Sequence, residues 1–173
     1  KWHLKKPLGG SEEINKKTIA KKFNNPIPKV VKDPLPTRSN SKKVVLCIAP
    51  HPDDETLGCG GSLLRHEAEG DDVHWMIMTT IEGNNDYSDE RKKERAEEIL
   101  KVSKTFDFTS VHQCAFLATH LDNIPLNEVI GELIDYLRKI KPEIIYLPFS
   151  GDIHTDHRVV FEAVASSTKS FRH

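Results

Sequence analysis

Two short stretches of this 173-residue chain concentrate side chains that can move protons and hold cations. The first reads Pro50-His51-Pro52-Asp53-Asp54-Glu55-Thr56, with one imidazole and three carboxyls within five consecutive residues. Crowded carboxylates repel one another, and in a pocket they need a proton or a cation between them. The second reads Gly151-Asp152-Ile153-His154-Thr155-Asp156-His157-Arg158, with two His three positions apart at a predicted loop-to-helix junction. Together the two stretches supply imidazole and carboxylate, the usual ligands of a catalytic zinc. Such a site keeps three protein ligands and one open position for water. Either stretch alone is more often an ordinary solvated loop, so the chemistry depends on whether the fold brings them together.

The surrounding pattern places both. Val44 to Ala49 is a continuous apolar run, the mark of a strand covered on both faces. A helix is predicted from Leu57 to Glu69, ended by Gly70. Val73 to Thr80 reads as a second strand, and Ser88 as the N-cap of a helix from Asp89 to Lys104. Ser110 to Phe116 is a third strand. Leu126, Val129, Ile130, Leu133, Ile134, Leu137 and Ile140 follow helical spacing, and Lys141-Pro142 ends that helix. Glu143 to Leu147 is a fourth strand, and a last helix runs from near Asp156 to about Ser167. Alternating strands and helices predict an α/β fold, Rossmann-like, with a three-layer α/β/α architecture. The sheet is mainly parallel, in strand order 3-2-1-4, with further strands left open. Strands 1 and 4 are then neighbours at the topological switch point, where ligands bind beyond the carboxyl ends of the strands. The two reactive loops follow those two strands and are expected to face each other.

Composition bounds the rest. Residues 1–43 carry 12 Lys and Arg against 3 Asp and Glu, whereas the remainder carries 13 against 23. The chain divides into a basic, Pro-containing N-terminal extension over 1–43 and a catalytic domain over 44–173. Within the extension, Ser11 to Phe23 is predicted as a short helix, followed by Pro26, Pro28, Pro34 and Pro36. An acidic body is a poor binder of nucleic acid, so no nucleic-acid partner is expected. No apolar run approaches the roughly 18–20 residues of a membrane span. Three cysteines without a C-x-x-C pair fit a reducing compartment, and no secretory leader pattern is visible, so a cytoplasmic location is expected. Cys47 and Cys114 sit in apolar runs as core residues. Homo-oligomerisation is left open.

The remaining polar residues read more quietly. His66 is expected exposed on its helix, and His74 and His112 hydrogen-bonded within strands. His120 falls in the loop after the third strand, as a solvated residue. Gly58-Cys59-Gly60-Gly61 follows the first strand, but G-x-G-x-x-G is incomplete because Leu63 takes the sixth position. Three acids precede it where a pyrophosphate would sit. Close packing of helix on sheet is the expected use of these glycines.

Ala49-Pro50-His51-Pro52-Asp53-Asp54-Glu55-Thr56-Leu57-Gly58-Cys59-Gly60-Gly61 resembles the opening signature of the PIG-L/LmbE-like N-acetylglucosaminyl deacetylase family. His154-Thr155-Asp156-His157-Arg158 resembles its second signature, and the likeness covers about Val44 to Ala165. The resemblance implies a zinc-dependent hydrolase that removes the acetyl group from an N-acetylated amino sugar. It implies His51, Asp54 and His157 as metal ligands and Asp53 as general base. His154 would stabilise the oxyanion, with Asp156 as the acid that tunes it. Arg91 with Glu94 resembles the family's R-x-x-E pattern, in which the Arg contacts substrate. One Zn2+ per chain is implied, with iron(II) or another divalent ion as the alternative. Family members continue beyond the second signature, so a C-terminally shortened pocket is expected. Residues 1–43 have no counterpart and are expected to be dispensable for chemistry.

Two other classes compete. Two His and one carboxylate also form the facial triad of iron(II) oxygenases; the extra acid Asp53 and the parallel sheet argue against it. A non-catalytic sugar-binding module would lack a base or a ligand, yet every matched position is filled. The group attached to the sugar, the native metal and the oligomeric state are not written in the sequence.

Overall fold

The computed structural model describes residues 41–171. The predicted helix Ser11–Phe23, the prolines and nearly all of the basic extension lie outside the described residues. Four strands, β1 (Val44–Ala49), β2 (Asp72–Thr80), β3 (Ser110–Leu117) and β4 (Ile144–Tyr146), alternate with four helices. These are α1 (Asp54–Ala68), α2 (Asp89–Thr105), α3 (Leu126–Ile140) and α4 (Thr155–Ser167). The strands form one sheet in the order β3-β2-β1-β4, parallel at every pairing. The predicted order and the adjacency of β1 and β4 are both met. The fourth strand is shorter than expected.

Side-chain alternation along β1 explains why its whole length is apolar. Leu46 and Ile48 face one layer, where Met76 and Met78 of β2 meet Leu133 and Leu137 of α3 and Val160 and Val164 of α4. Val45, Cys47 and Ala49 face the other, with Trp75, Ile77, Leu63 of α1 and Phe106 and Phe108 after α2. A central strand covered on both faces has no polar side to show. Cys47 and Cys114 are buried, as their apolar surroundings predict.

Helix ends follow local chemistry. The Ser88 hydroxyl accepts the Arg91 N–H at 3.2 Å and caps α2. Gly70 at φ 76° follows the last turn of α1, where a left-handed residue closes a helix at least cost. The α3 helix stops at Lys141, left-handed at φ 53°, just before Pro142. The α1 helix begins at Asp54, three residues earlier than predicted. Acidic residues in a first turn are favoured by the helix dipole, so Asp54 and Glu55 belong to the helix rather than to the loop.

Two expectations are corrected. A Cβ at Gly60 would stand an ordinary 3.5 Å from the Phe106 ring, and at Gly58 or Gly61 it would meet nothing within 4 Å. Close packing therefore does not account for these glycines. They flank Cys59, whose φ −145° and ψ 16° interrupt α1, and such breaks favour small residues. His66 is buried, not exposed. Its Nδ1 lies 2.6 Å from Asp71 Oδ2 and its Nε2 3.0 Å from the Tyr146 hydroxyl. That burial depends on β4, eighty positions away, and local periodicity does not report it. His74 and His112 are hydrogen-bonded, to Ser110 and Glu132, as expected. Exposed His120 bonds to the Ala118 carbonyl. Among the described residues, no helix is long and apolar enough to cross a membrane.

Candidate metal centre and catalytic pocket

The loops that follow β1 and β4 meet beyond the carboxyl edge of the sheet. The β1 loop is tied down from below: Thr79 of β2 donates its N–H and its hydroxyl to the Pro50 carbonyl, at 3.1 and 2.7 Å. The chain then turns into α1 through Asp53, at φ 156° and ψ −24°, a conformation that side chains rarely adopt. Buried Glu55 holds this turn. Its Oε2 accepts the Asp53 N–H at 3.0 Å and its Oε1 the Thr56 hydroxyl at 2.5 Å. Burial raises the Glu55 pKa, which these bonds only partly offset.

His51, Asp54 and His157 converge. Asp54 Oδ2 lies 3.3 Å from His51 Nδ1 and 3.3 Å from His157 Nε2. Each imidazole spends its remote nitrogen on a second carboxylate. His51 Nε2 is 2.9 Å from Asp156 Oδ2, and His157 Nδ1 is 3.0 Å from Asp152 Oδ2. A nitrogen donating to a carboxylate carries the proton, so in the neutral ring that a cation requires, the other nitrogen would offer its lone pair on the Asp54 side. Carboxylates placed in this way orient the histidine ligands of a metal. Nitrogen and oxygen ligands of one tetrahedral zinc lie about 3.3 Å apart, which is the spacing found here. The donor set fits a zinc-like divalent cation.

Electrostatics agree with that fit. Burial opposes charge on His51, but Asp156 and Asp54 outweigh it and raise the imidazole to about 9. Burial likewise opposes ionised Asp54, yet the His51 ring and backbone N–H hold its pKa below the usual carboxylate value. Asp156 behaves alike: its burial is overcome by His51 and by the N–H groups of Thr119 and Leu121. The site concentrates negative charge and satisfies it with a proton on His51, a proton that a divalent cation would displace.

The other sequence-predicted residues surround this centre. His154 packs edge-on to His51, with ring centroids 4.7 Å apart. It also caps α4, its Nδ1 accepting the Asp156 N–H at 3.1 Å. Asp53 and His154 both line a 250 Å³ cavity, with His51, Tyr87, Gln113 and Thr119. Asp54 and His157 border a second cavity of 460 Å³. Asp156 has more neighbours than the one implied for it: its carboxylate lies within 4.8 Å of ring nitrogens of both His51 and His154. Its carboxylate engages His51 and the β3 loop, bonding Thr119 N–H at 2.7 Å and Leu121 N–H at 3.1 Å. Its hydrogen bond to His154 is made by its backbone N–H. Full burial against two loop amides explains that orientation.

The structure does not bring Arg91 to this cavity. Arg91 lies on the outer surface of α2, held by Glu94 at 3.2 Å and Glu98 at 3.0 Å. Arg95, one turn later, borders the cavity and donates to the Pro52 carbonyl at 2.6 Å. The R-x-x-E pattern occurs twice, as Arg91 with Glu94 and as Arg95 with Glu98, and the second copy is the one beside Asp53. Asp152 was also missed as a site residue. Its signal is present in the sequence, five positions before His157 in the same loop, but its partner is visible only in three dimensions.

A model of the PIG-L family, described as GlcNAc-PI de-N-acetylase, matches residues 46–168. The chain is 32% identical over 142 residues to the uncharacterized deacetylase YaiS of Escherichia coli, covering 78% of this chain and 73% of that protein. It is 32% identical over 130 residues to diacetylchitobiose deacetylase of Thermococcus kodakarensis, covering 69% of this chain but only 46% of that enzyme. Among solved structures, the N,N'-diacetylchitobiose deacetylase from Pyrococcus horikoshii superposes with a TM-score of 0.65 at 27% identity. That match covers 91% of this chain and 60% of that one. The chain thus spans about half the length of the two diacetylchitobiose deacetylases.

Proposed function

The chain belongs to the PIG-L family, and on that premise we propose that it is a metal-dependent hydrolase releasing acetate from an N-acetylglucosamine-type amino sugar. The observation that carries this reading is the pairing of a cation-ready donor set, His51, Asp54 and His157, with Asp53 and His154 on the wall of the adjoining cavity. Zinc is the proposed ion, held by those three residues, and when bound it would acidify a water and polarise the acetyl carbonyl.

The chain's own residues supply the rest. Asp53 faces the smaller cavity and is the proposed base that takes the water proton and returns it to the leaving amine. His154, which lines the same cavity, is the proposed donor to the oxyanion of the tetrahedral intermediate. Asp156 and Asp152 orient the two ligating imidazoles. Tyr87, Gln113, Thr119 and Arg95 line the same cavity and offer a ring face and hydrogen-bonding groups suited to a hydroxyl-rich sugar. Residues 1–43 contribute no group to this scheme, and the chemistry is assigned to 44–173. The free cysteines support a reducing, cytoplasmic setting.

The test is acetate release over a panel of N-acetylated amino sugars. Activity should vanish on chelation and return with added zinc. Metal-replete, folded protein that releases no acetate from any of them would overturn the assignment. The arginines provide a second check. Losing a charge-assisted hydrogen bond costs about 1.5–3 kcal/mol, so Arg95→Ala should lower kcat/KM roughly ten- to a hundredfold. Arg91→Ala, which removes only a solvent-exposed ion network, should leave it unchanged. Steady-state kinetics on both variants decides which R-x-x-E arginine serves substrate.

A further inference from the structure

A second cluster of metal-binding side chains stands apart from this centre. His112 and Cys114 are two apart on β3, so both point to the face covered by α3, and Glu132 of α3 meets them there. The donor atoms of the three lie within 4.8 Å of one another. His112 Nε2 is 3.1 Å from Glu132 Oε1, near the roughly 3.3 Å that tetrahedral zinc sets between nitrogen and oxygen ligands. The imidazole is held in place by stacking on Tyr136, with centroids 4.6 Å apart and planes at 19°. The Tyr136 hydroxyl is anchored in turn on Ser110 at 3.1 Å. An exposed His–Glu pair alone would be a weak surface contact. The difference lies in Cys114: its buried thiol gives the cluster a soft ligand beside an imidazole and a carboxylate.

We propose that His112, Cys114 and Glu132 form a binding site for a thiophilic divalent cation, Zn2+ in particular. The protein gives three ligands of three types, and solvent reaches the cluster through the half-exposed His112 and Glu132. Binding replaces the thiol proton, which passes to solvent, with a sulfur–metal bond; no electron is transferred. The ion clamps edge strand β3 to α3 through residues that are all distinct from the proposed catalytic ones. None of its three ligands belongs to the proposed catalytic set, so acetate release should not depend on it.

Cobalt(II) reads the site directly, because thiolate ligation produces a sulfur-to-cobalt charge-transfer band in the near ultraviolet. The proposed catalytic donors His51, Asp54 and His157 contain no sulfur and cannot give that band. Titration of the metal-free, full-length protein should show two bound equivalents, one of them carrying the band. Zinc should displace it. Cys114→Ala should abolish the band and leave one equivalent. His112→Gln and Glu132→Gln, at partly exposed positions that keep the fold, should weaken cobalt binding at this site by tenfold or more, with acetate release unchanged. One equivalent without a charge-transfer band would overturn the proposal. So would a band that survives Cys114→Ala, because Cys47 or Cys59 would then supply the sulfur. The absence of deacetylase activity would leave the cobalt result standing.

Discussion

Asp53→Asn is expected to bind the divalent cation as the parent chain does and to release acetate roughly 10²–10⁴-fold more slowly, the usual range for a general base. Asp54→Asn is expected to lose the cation. The two residues are consecutive, yet their surroundings differ. Asp54 Oδ2 lies 3.3 Å from His51 Nδ1 and 3.3 Å from His157 Nε2. Asp53 lies at the start of α1 on the wall of the smaller cavity, its backbone N–H held by Glu55. An amide at 53 removes no ligand but cannot accept a proton. At 54 it replaces a charged ligand with a neutral one between two imidazoles. Excess zinc should therefore restore much of the activity of Asp54→Asn and none of that of Asp53→Asn. Metal content and acetate release at matched zinc measure both. Loss of metal from Asp53→Asn with retention in Asp54→Asn would reverse the assignment.

The parts of this site that were legible in the sequence are those fixed by local chemistry. Val44 to Ala49 could only be a strand covered on both faces, and the element order then brings its loop against the one after β4. Residue type and placement in those two loops show that imidazoles and carboxylates meet there; the choice of His51, Asp54 and His157 among them is what the family resemblance implies. What was not legible depends on distant partners. His66 looks like a surface residue of an acidic helix until Asp71 and Tyr146 close over it. Arg91 and Arg95 are one helical turn apart and carry the same local pattern. Only the seating of α2 puts Arg95 on the Pro52 carbonyl and leaves Arg91 among glutamates. Asp156 illustrates the same limit. Its position beside His154 in sequence suggests one neighbour, but not His51 or the amides of the loop after β3 that its buried carboxylate also binds.

That burial separates the two carboxylates that orient the ligating imidazoles. Replacing either by Asn should weaken zinc affinity about 10–100-fold, the usual effect of removing the partner of a metal-bound histidine. Their effects on folding should diverge. Asp156 is inaccessible to solvent and accepts three donors, from Thr119, Leu121 and His51. An asparagine there turns one acceptor into an NH2 group facing another donor. Leaving a buried group unpaired costs about 1–3 kcal/mol, a loss of several degrees in Tm. Asp152 is one-third exposed and accepts His154 N–H on one oxygen and His157 Nδ1 on the other. Water can replace what an asparagine there fails to accept, so its Tm without metal should stay close to that of the parent. Thermal melts of metal-free protein, paired with zinc competition against a chelator, separate the two outcomes. Equal Tm losses would show that Asp152 too is structural. Unchanged zinc affinity in both variants would mean that the imidazoles are oriented by something other than these carboxylates.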